Sequence, residues 1–324
     1  MEITPTIYFV AFIEIIPITI LIPSSLLNLF LLWKSCVLNN NSKIILISQS
    51  IAIFIYSSTR LYVLILVISV QYDLFIKLYY FIGNIEYVCL TFGNLIGHVL
   101  ILERTIATLF PTKYSQTKVP IFGICCISIL LFFTIIDRLI PTNTNNPSIS
   151  NLYSVILLNI SLLFSILELI AFSRLTAFNK KMYKKYLNNK FNTKNNYTLN
   201  ERYRQLENVY TGKQLAPSFF FHFINILTAS IASITINYFN LTNEMMNNIM
   251  CFSLLIFPIC KLGIEITVIT FHPVLNKNLN KIIKCGHSSN KINVEKQTVI
   301  NLQQIVTASK EQDLHFEMLK LSWM

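Results

Sequence analysis

Residues 44–70 read IILISQSIAIFIYSSTRLYVLILVISV, an apolar run broken by a single charged side chain, Arg60. A helix needs about 20 mainly apolar residues to cross the hydrocarbon of a bilayer, because only then is every backbone N–H and C=O bonded internally where no water can serve. This run is long enough to cross with a tilt. Six further runs qualify on either side of it, at residues 7–33, 79–102, 119–140, 152–173, 215–239 and 249–271. Composition agrees: 53% of the 324 residues are hydrophobic and only 13% charged, with a mean hydropathy of +0.55. A water-soluble core of this size cannot bury so much apolar surface. The expected fold is an all-α membrane protein, a bundle of seven transmembrane helices spanning residues 1–271, followed by a cytosolic tail, 272–324.

Orientation follows from the cations, since short cytoplasmic loops retain Lys and Arg. With the N-terminus outside, Lys34, Lys43, Arg104, Lys113 and Lys118 fall in the first two inner loops. The third adds Arg174, Lys180, Lys181, Lys184, Lys185, Lys190, Lys194, Arg202, Arg204 and Lys213, and the tail runs from Lys277 to Lys320. In all, 22 of the 26 cations lie inside, against Lys77 and Arg138 outside and Arg60 and Lys261 within spans. Met1–Thr6 lacks the basic start of a cleavable signal, so the first run is expected to act as a signal anchor.

The same distribution accounts for the net charge of +11. The basic residues lie between apolar runs without a finger, a basic arm or an RNA-binding signature, so no nucleic-acid partner is expected. The seven cysteines, 36, 89, 125, 126, 251, 260 and 285, form no CxxC pair and no spacing ladder, which argues against a zinc site or a disulfide scaffold. His98 and His222, in the inner halves of the third and sixth spans, lack a third ligand at similar depth, so no metal is implied. With no nucleophile elbow, phosphate loop or HExxH helix, neither an enzyme nor a cofactor is indicated. The outer loops are short. The sequon at Asn240 lies almost against the membrane, and those at Asn40 and Asn196 are cytosolic in this topology, so all three are expected to be empty.

Ionisable side chains within spans cost several kcal/mol unless paired or wetted. Glu14, Arg60 and Glu86 lie in the outer halves of the first three spans, roughly 10 to 15 Å below the outer edge at 1.5 Å per residue. An ion pair between Arg60 and one of the glutamates is expected. Lys261 and Glu265 are four residues apart in the seventh span, share a face and are expected to neutralise each other. Glu168, near the inner end of the fifth span, is expected to snorkel towards water.

At the inner end of the third span, Leu100-Ile101-Leu102-Glu103-Arg104-Thr105 places an acid and a base side by side. Alone, they would read as two solvated charges at a membrane border. In a seven-span, N-out chain with a long basic loop before the sixth span, the pair resembles the Glu/Asp-Arg switch of G-protein-coupled receptors. The NPxxY signature is missing from the seventh span, and residues 140–152 hold no cysteine for the usual outer disulfide. Residues 103–108 (ERTIAT), the Leu199-Asn200-Glu201-Arg202-Tyr203 run with Glu207-Asn208, and the tail's Phe316-Glu317-Met318-Leu319 with Trp323 resemble nematode serpentine chemoreceptors of the Sra superfamily, class E most and classes A and AB closely. One departure is Arg204, which stands between Arg202-Tyr203 and Gln205.

That resemblance implies a small-molecule ligand, a heterotrimeric G protein, and residence in the plasma membrane, including the ciliary membrane of chemosensory neurons. It implies that Glu103 holds Arg104 at rest and releases it on activation. It also implies a pocket among the outer halves of helices three, five, six and seven, where Glu86, Tyr87, Tyr238 and Lys261 are the candidate ligand contacts. The rival is a multi-pass transporter or channel, which internal repeats and Gly- or Pro-broken helices in matched halves would support. The chain has seven glycines and no visible repeat.

After His272-Pro273, residues 274–284 place Leu275, Leu279 and Ile282 on one face and Lys277, Lys281 and Lys284 elsewhere. This predicts a short amphipathic helix on the inner leaflet, with membrane lipids as partner, and Cys285 beside it as a candidate palmitoylation site. Ser309 and Gln312 fit a capping box before Leu314, Met318 and Leu321.

Overall fold

The structure, a computed structural model, describes residues 5–35, 38–69, 72–110, 120–143, 147–188, 199–239 and 241–287. All regular secondary structure among them is helical. Seven helices are long and apolar enough to cross a membrane: α1 (Pro5–Lys34), α2 (Asn40–Ile68), α3 (Tyr72–Leu109), α4 (Ile121–Asn143), α5 (Pro147–Asn188), α6 (Leu199–Tyr238) and α7 (Asn243–Thr270). An eighth, α8, runs Pro273–His287. The chain divides into two compact units, Met1–Leu279 and Asn280–Met324. Of the second, only the end of α8 is described.

Local chemistry starts the helices where the sequence supplies a cap. Asn39 accepts from the Asn41 backbone N–H ahead of α2, and Thr242 from that of Met245 ahead of α7, each satisfying a donor that the first helical turn leaves orphaned. Packing then turns the polar face inward, the reverse of a soluble bundle. In α1 the buried residues Glu14, Ile18, Leu21, Ser25, Asn28 and Leu32 recur every three or four positions, while Phe9, Phe12, Ile16, Phe30 and Trp33 are exposed where lipid would lie. α3 packs against α2, α4, α5 and α6, and α1 closes onto α7. One core cluster joins Leu31, Leu46, Ile96, Leu100, Leu215 and Val268 across α1, α2, α3, α6 and α7. Where α4 meets α2, the Gly123 N–H bonds the Asn41 side chain at 3.0 Å. A Cβ at Gly123 would stand 2.7 Å from Ile44 Cγ2, so only glycine admits this contact.

Two expectations change. The third basic loop, expected to open after residue 173, is largely helical: α5 continues to Asn188 and α6 begins at Leu199. Lys, Leu, Tyr and Asn in residues 174–188 allow a helix once the preceding span has nucleated it. A Cβ placed on Gly212 of the α6 extension would meet Thr176 of the α5 extension at 3.5 Å, so the two extensions run close together. The start of α8 also departs from the expectation of a helix lying only on lipid. Leu275 is fully buried and Leu279 packs on the main core, while Lys277 is exposed.

Candidate functional site

Arg60 of α2 faces both glutamates that depth offered it. Its Nε and Nη2 donate to the two oxygens of Glu14 on α1 at 2.6 and 2.8 Å, and Nη1 lies 3.3 Å from Glu86 on α3. Glu14 is 1% and Arg60 12% exposed, so one largely buried guanidinium ties three helices together. The bidentate fork fixes geometry as well as charge.

Lys261 and Glu265 depart from the expected mutual pair. Four residues along a helix put them about 6 Å apart along the axis, and each is met by a different helix. Lys261 Nζ donates to Asn94 Oδ1 of α3 at 2.9 Å, and Asn225 of α6 approaches the same oxygen at 3.5 Å. Glu265 accepts from Asn28 of α1 and, at 3.1 Å, from Ser50 of α2. A Cβ at position 93 would stand 2.8 Å from Lys261 Nζ, so Gly93 makes room for the ammonium.

Beside this network a cavity of about 340 Å³ opens between α3, α4, α5, α6 and α7. Leu90, Leu157, Leu158, Ile226, Ile236, Met250, Leu254 and Phe257 make its wall mostly apolar, and Tyr87, Thr91, Asn94, Asp137, Ser161 and Ser253 are its polar points. Tyr87 Oη donates to Asp137 Oδ2 at 2.8 Å. Arg138, the next residue, turns away to Asn84 Oδ1 at 2.7 Å and lays its guanidinium 5.1 Å from the Tyr87 ring centre. Of the four ligand contacts the resemblance implied, Tyr87 is on the wall and Lys261 reaches it only through Asn94. Glu86 turns to Arg60 instead, and Tyr238, at the end of α6, is 65% exposed and outside the lining. Asp137 was missed. An acid followed by an arginine near a span's end reads as border charge, yet Asp137 is only 2% exposed.

Farther along α3, His98 Nδ1 lies 2.6 Å from Glu168 Oε2 of α5 and Nε2 3.3 Å from Ser161. Glu168 therefore bends to a histidine partner rather than snorkelling. His222 of α6 packs against Gly97, where a Cβ would stand 3.2 Å from its ring. Neither of its ring nitrogens has a partner among the described residues. They border a space of about 10 Å³, room for about one water.

The far end of α3 extends beyond the expected edge at residue 102 to Leu109, so Glu103 and Arg104 are helical and buried, at 0% and 4% exposure. Arg104 Nε and Nη2 each lie 2.5 Å from a Glu103 oxygen. Ser42 of α2 donates to Glu103 Oε1 at 2.8 Å and accepts from Arg104 Nη2. One turn on, Asn179 of the α5 extension donates to Thr108 at 3.2 Å. These are not the solvated charges of a membrane border. Between α7 and α8, His272 is buried, and burial holds its imidazole down at about 4. The side chains of Arg202 and Cys285, and residues 309–321, lie outside the described residues.

The bundle thus has a mostly apolar cavity towards one end and the buried Glu103–Arg104 pair towards the other. No curated protein is significantly similar to the chain. Residues 67–324, from the end of α2 through the tail, match the family model described as Sre G protein-coupled chemoreceptor. The rival transporter or channel is not favoured by that match. With seven membrane-length helices and a match over most of its length, the chain belongs to the Sre G protein-coupled chemoreceptor family and is a multi-pass chemosensory receptor.

Proposed function

We propose that this receptor takes a small-molecule stimulus into the cavity beside Tyr87 and Asp137 and signals through Glu103 and Arg104 to a heterotrimeric G protein. The observation that carries the proposal is that both sites stand on α3, Tyr87 and Arg104 being about 25 Å apart along its axis. α6 contributes Ile226 and Ile236 to the cavity wall and lays His222 against Gly97 of α3 on the way to the other end. A ligand that favours a different seating of α6 shifts a pre-existing equilibrium, and Pro217, which interrupts the backbone ladder of α6, gives that helix a place to bend. Release of Arg104 from Glu103 and Ser42 then opens the end that G protein engages.

The N-terminus and the cavity face outward, and the α5 and α6 extensions face the cytosol, as the cation asymmetry supports. The receptor domain is residues 1–271 and the tail 272–324, with the lysines of α8 meeting inner-leaflet lipid and Cys285 available for palmitoylation. The chain sits in the class E branch of the Sra superfamily, in the plasma membrane or the ciliary membrane of a chemosensory neuron; residues 103–108, the Glu201-Arg202-Tyr203 run and the tail support that placement.

Two measurements test this. An epitope inserted beside Asn189 is expected to be reached by antibody only after permeabilisation, and labelling of intact cells would overturn the orientation. A stimulus screen in cells carrying the receptor and a promiscuous G protein is expected to yield responses that Ala232→Trp, which fills the cavity, removes at matched surface expression. Responses that survive Ala232→Trp would move the ligand elsewhere.

A further inference from the structure

Several of the cavity's polar groups are already engaged within the protein. Tyr87 spends its hydroxyl on Asp137, Ser253 spends its own on the Ile249 carbonyl at 2.9 Å, and the Asn94 carbonyl receives Lys261. Asp137 differs. Its Oδ2 receives Tyr87, but its Oδ1 accepts no hydrogen bond from the described residues, although the side chain is 2% exposed and lines the cavity. No lysine, arginine or histidine is among the described lining residues, so Asp137 carries the one formal charge on the wall. The neighbouring Arg138 has turned to Asn84 and the Tyr87 face and makes no ion pair with it.

A carboxylate in an apolar wall with one oxygen unserved is costly on its own and favours a partner that brings both a positive charge and a donor. An anion would be repelled, and a neutral apolar ligand would leave the carboxylate stranded. The rest of the wall is hydrocarbon. An apolar cavity of about 150 Å³ takes a benzene, so 340 Å³ has room for a body about twice as large. We infer that the stimulus is a small primary or secondary amine carried on an apolar body, its ammonium on Asp137 Oδ1 and its hydrocarbon against the α6 and α7 side of the cavity. The inference rests on the proposed pocket and names the chemistry it selects.

The test uses the full-length receptor in lipid nanodiscs and reads thermal stability against concentration for n-octylamine, 2-phenylethylamine, 1-octanol and octanoic acid. In the wild type, octylamine is expected to bind about 10- to 100-fold more tightly than octanol, the range of a charge-assisted hydrogen bond, with octanoic acid weakest. Asp137→Asn keeps an acceptor for Tyr87 but replaces the charged Oδ1 acceptor by an amide N–H donor, so the amine preference should fall to about threefold or less, while octanol, whose hydroxyl donates to a carboxylate and accepts from an amide, is little changed. Asp137→Glu should retain the preference. Octanol binding that Ala232→Trp abolishes, but with no amine preference or with one that survives Asp137→Asn, overturns the amine inference and leaves the pocket standing. Failure of every probe to stabilise the wild type overturns both.

Discussion

Among the described residues two arginine–glutamate pairs lie inside the bundle, and they are wired differently. Arg60 reaches across space to Glu14 on α1 and Glu86 on α3, so its bonds are the contacts between three helices. Arg104 bonds the residue beside it in its own helix, and the Ser42 hydroxyl of α2 bonds both members of the pair. The same functional groups thus serve opposite ends. A pair between helices cannot open without the bundle opening, whereas a pair within one helix can let go of its neighbours while the helix stays whole. The first is suited to hold the fold and the second to switch.

The largest expected effect comes from breaking the first pair. Arg60→Met strands two carboxylates and should cost about 3–5 kcal/mol, seen as lost surface expression and a lower melting temperature in detergent. Adding Glu14→Gln should recover part of the loss, and Glu86→Gln less, because Glu14 takes two of the guanidinium's hydrogen bonds. Additive losses in both double mutants would show that the contact carries no stabilisation. Removing the Ser42 tie of the second pair should instead cost less stability than breaking the first. Ser42→Ala removes the hydroxyl's two hydrogen bonds, one to Glu103 and one from Arg104, and should raise basal signalling by at least about tenfold, or about 1.5 kcal/mol. A folding defect without a change in basal signalling would make Ser42 part of the frame.

A smaller effect probes the hinge between α7 and α8. His272 holds its imidazole at about 4 when folded, below the ordinary value of about 6.5, so the unfolded chain binds the proton more readily between those values. Stability is full well above about pH 6.5 and declines as pH falls through that window, by about 1.4 kcal/mol at pH 5.5. His272→Gln should flatten this slope in a thermal-melt series from pH 5 to 8, and an unchanged slope would remove His272 as its source.

The seven helices were legible because each needs little more than length and apolarity, which a single sequence displays. Arg60 was legible as a paired group for a similar reason: depth can be counted along a span, and only Glu14 and Glu86 lie near its level. Depth does not give rotation. Whether Glu265 looks at Lys261 or at Asn28 and Ser50 depends on how α7 turns against α1 and α2, and the i, i+4 spacing is silent on that. Asp137 was hidden by Arg138, since adjacent opposite charges look self-sufficient until the helix points them about 100° apart. The helical extensions of α5 and α6 escaped because hydropathy marks where a span ends, whereas a helix ends where its hydrogen-bond ladder stops.

The claim that Arg104 is the switch is tested most directly by nucleotide exchange on a heterotrimeric G protein, read beside ligand binding at matched receptor amounts. Glu103→Gln weakens the resting contact and should raise exchange without ligand, roughly 1–3 kcal/mol in favour of the active state. Arg104→Ala should bind stimulus in the cavity as the wild type does and drive no exchange. Normal exchange by an Arg104→Ala receptor that still binds its ligand would contradict the account and leave Glu103, Arg104 and Ser42 as packing.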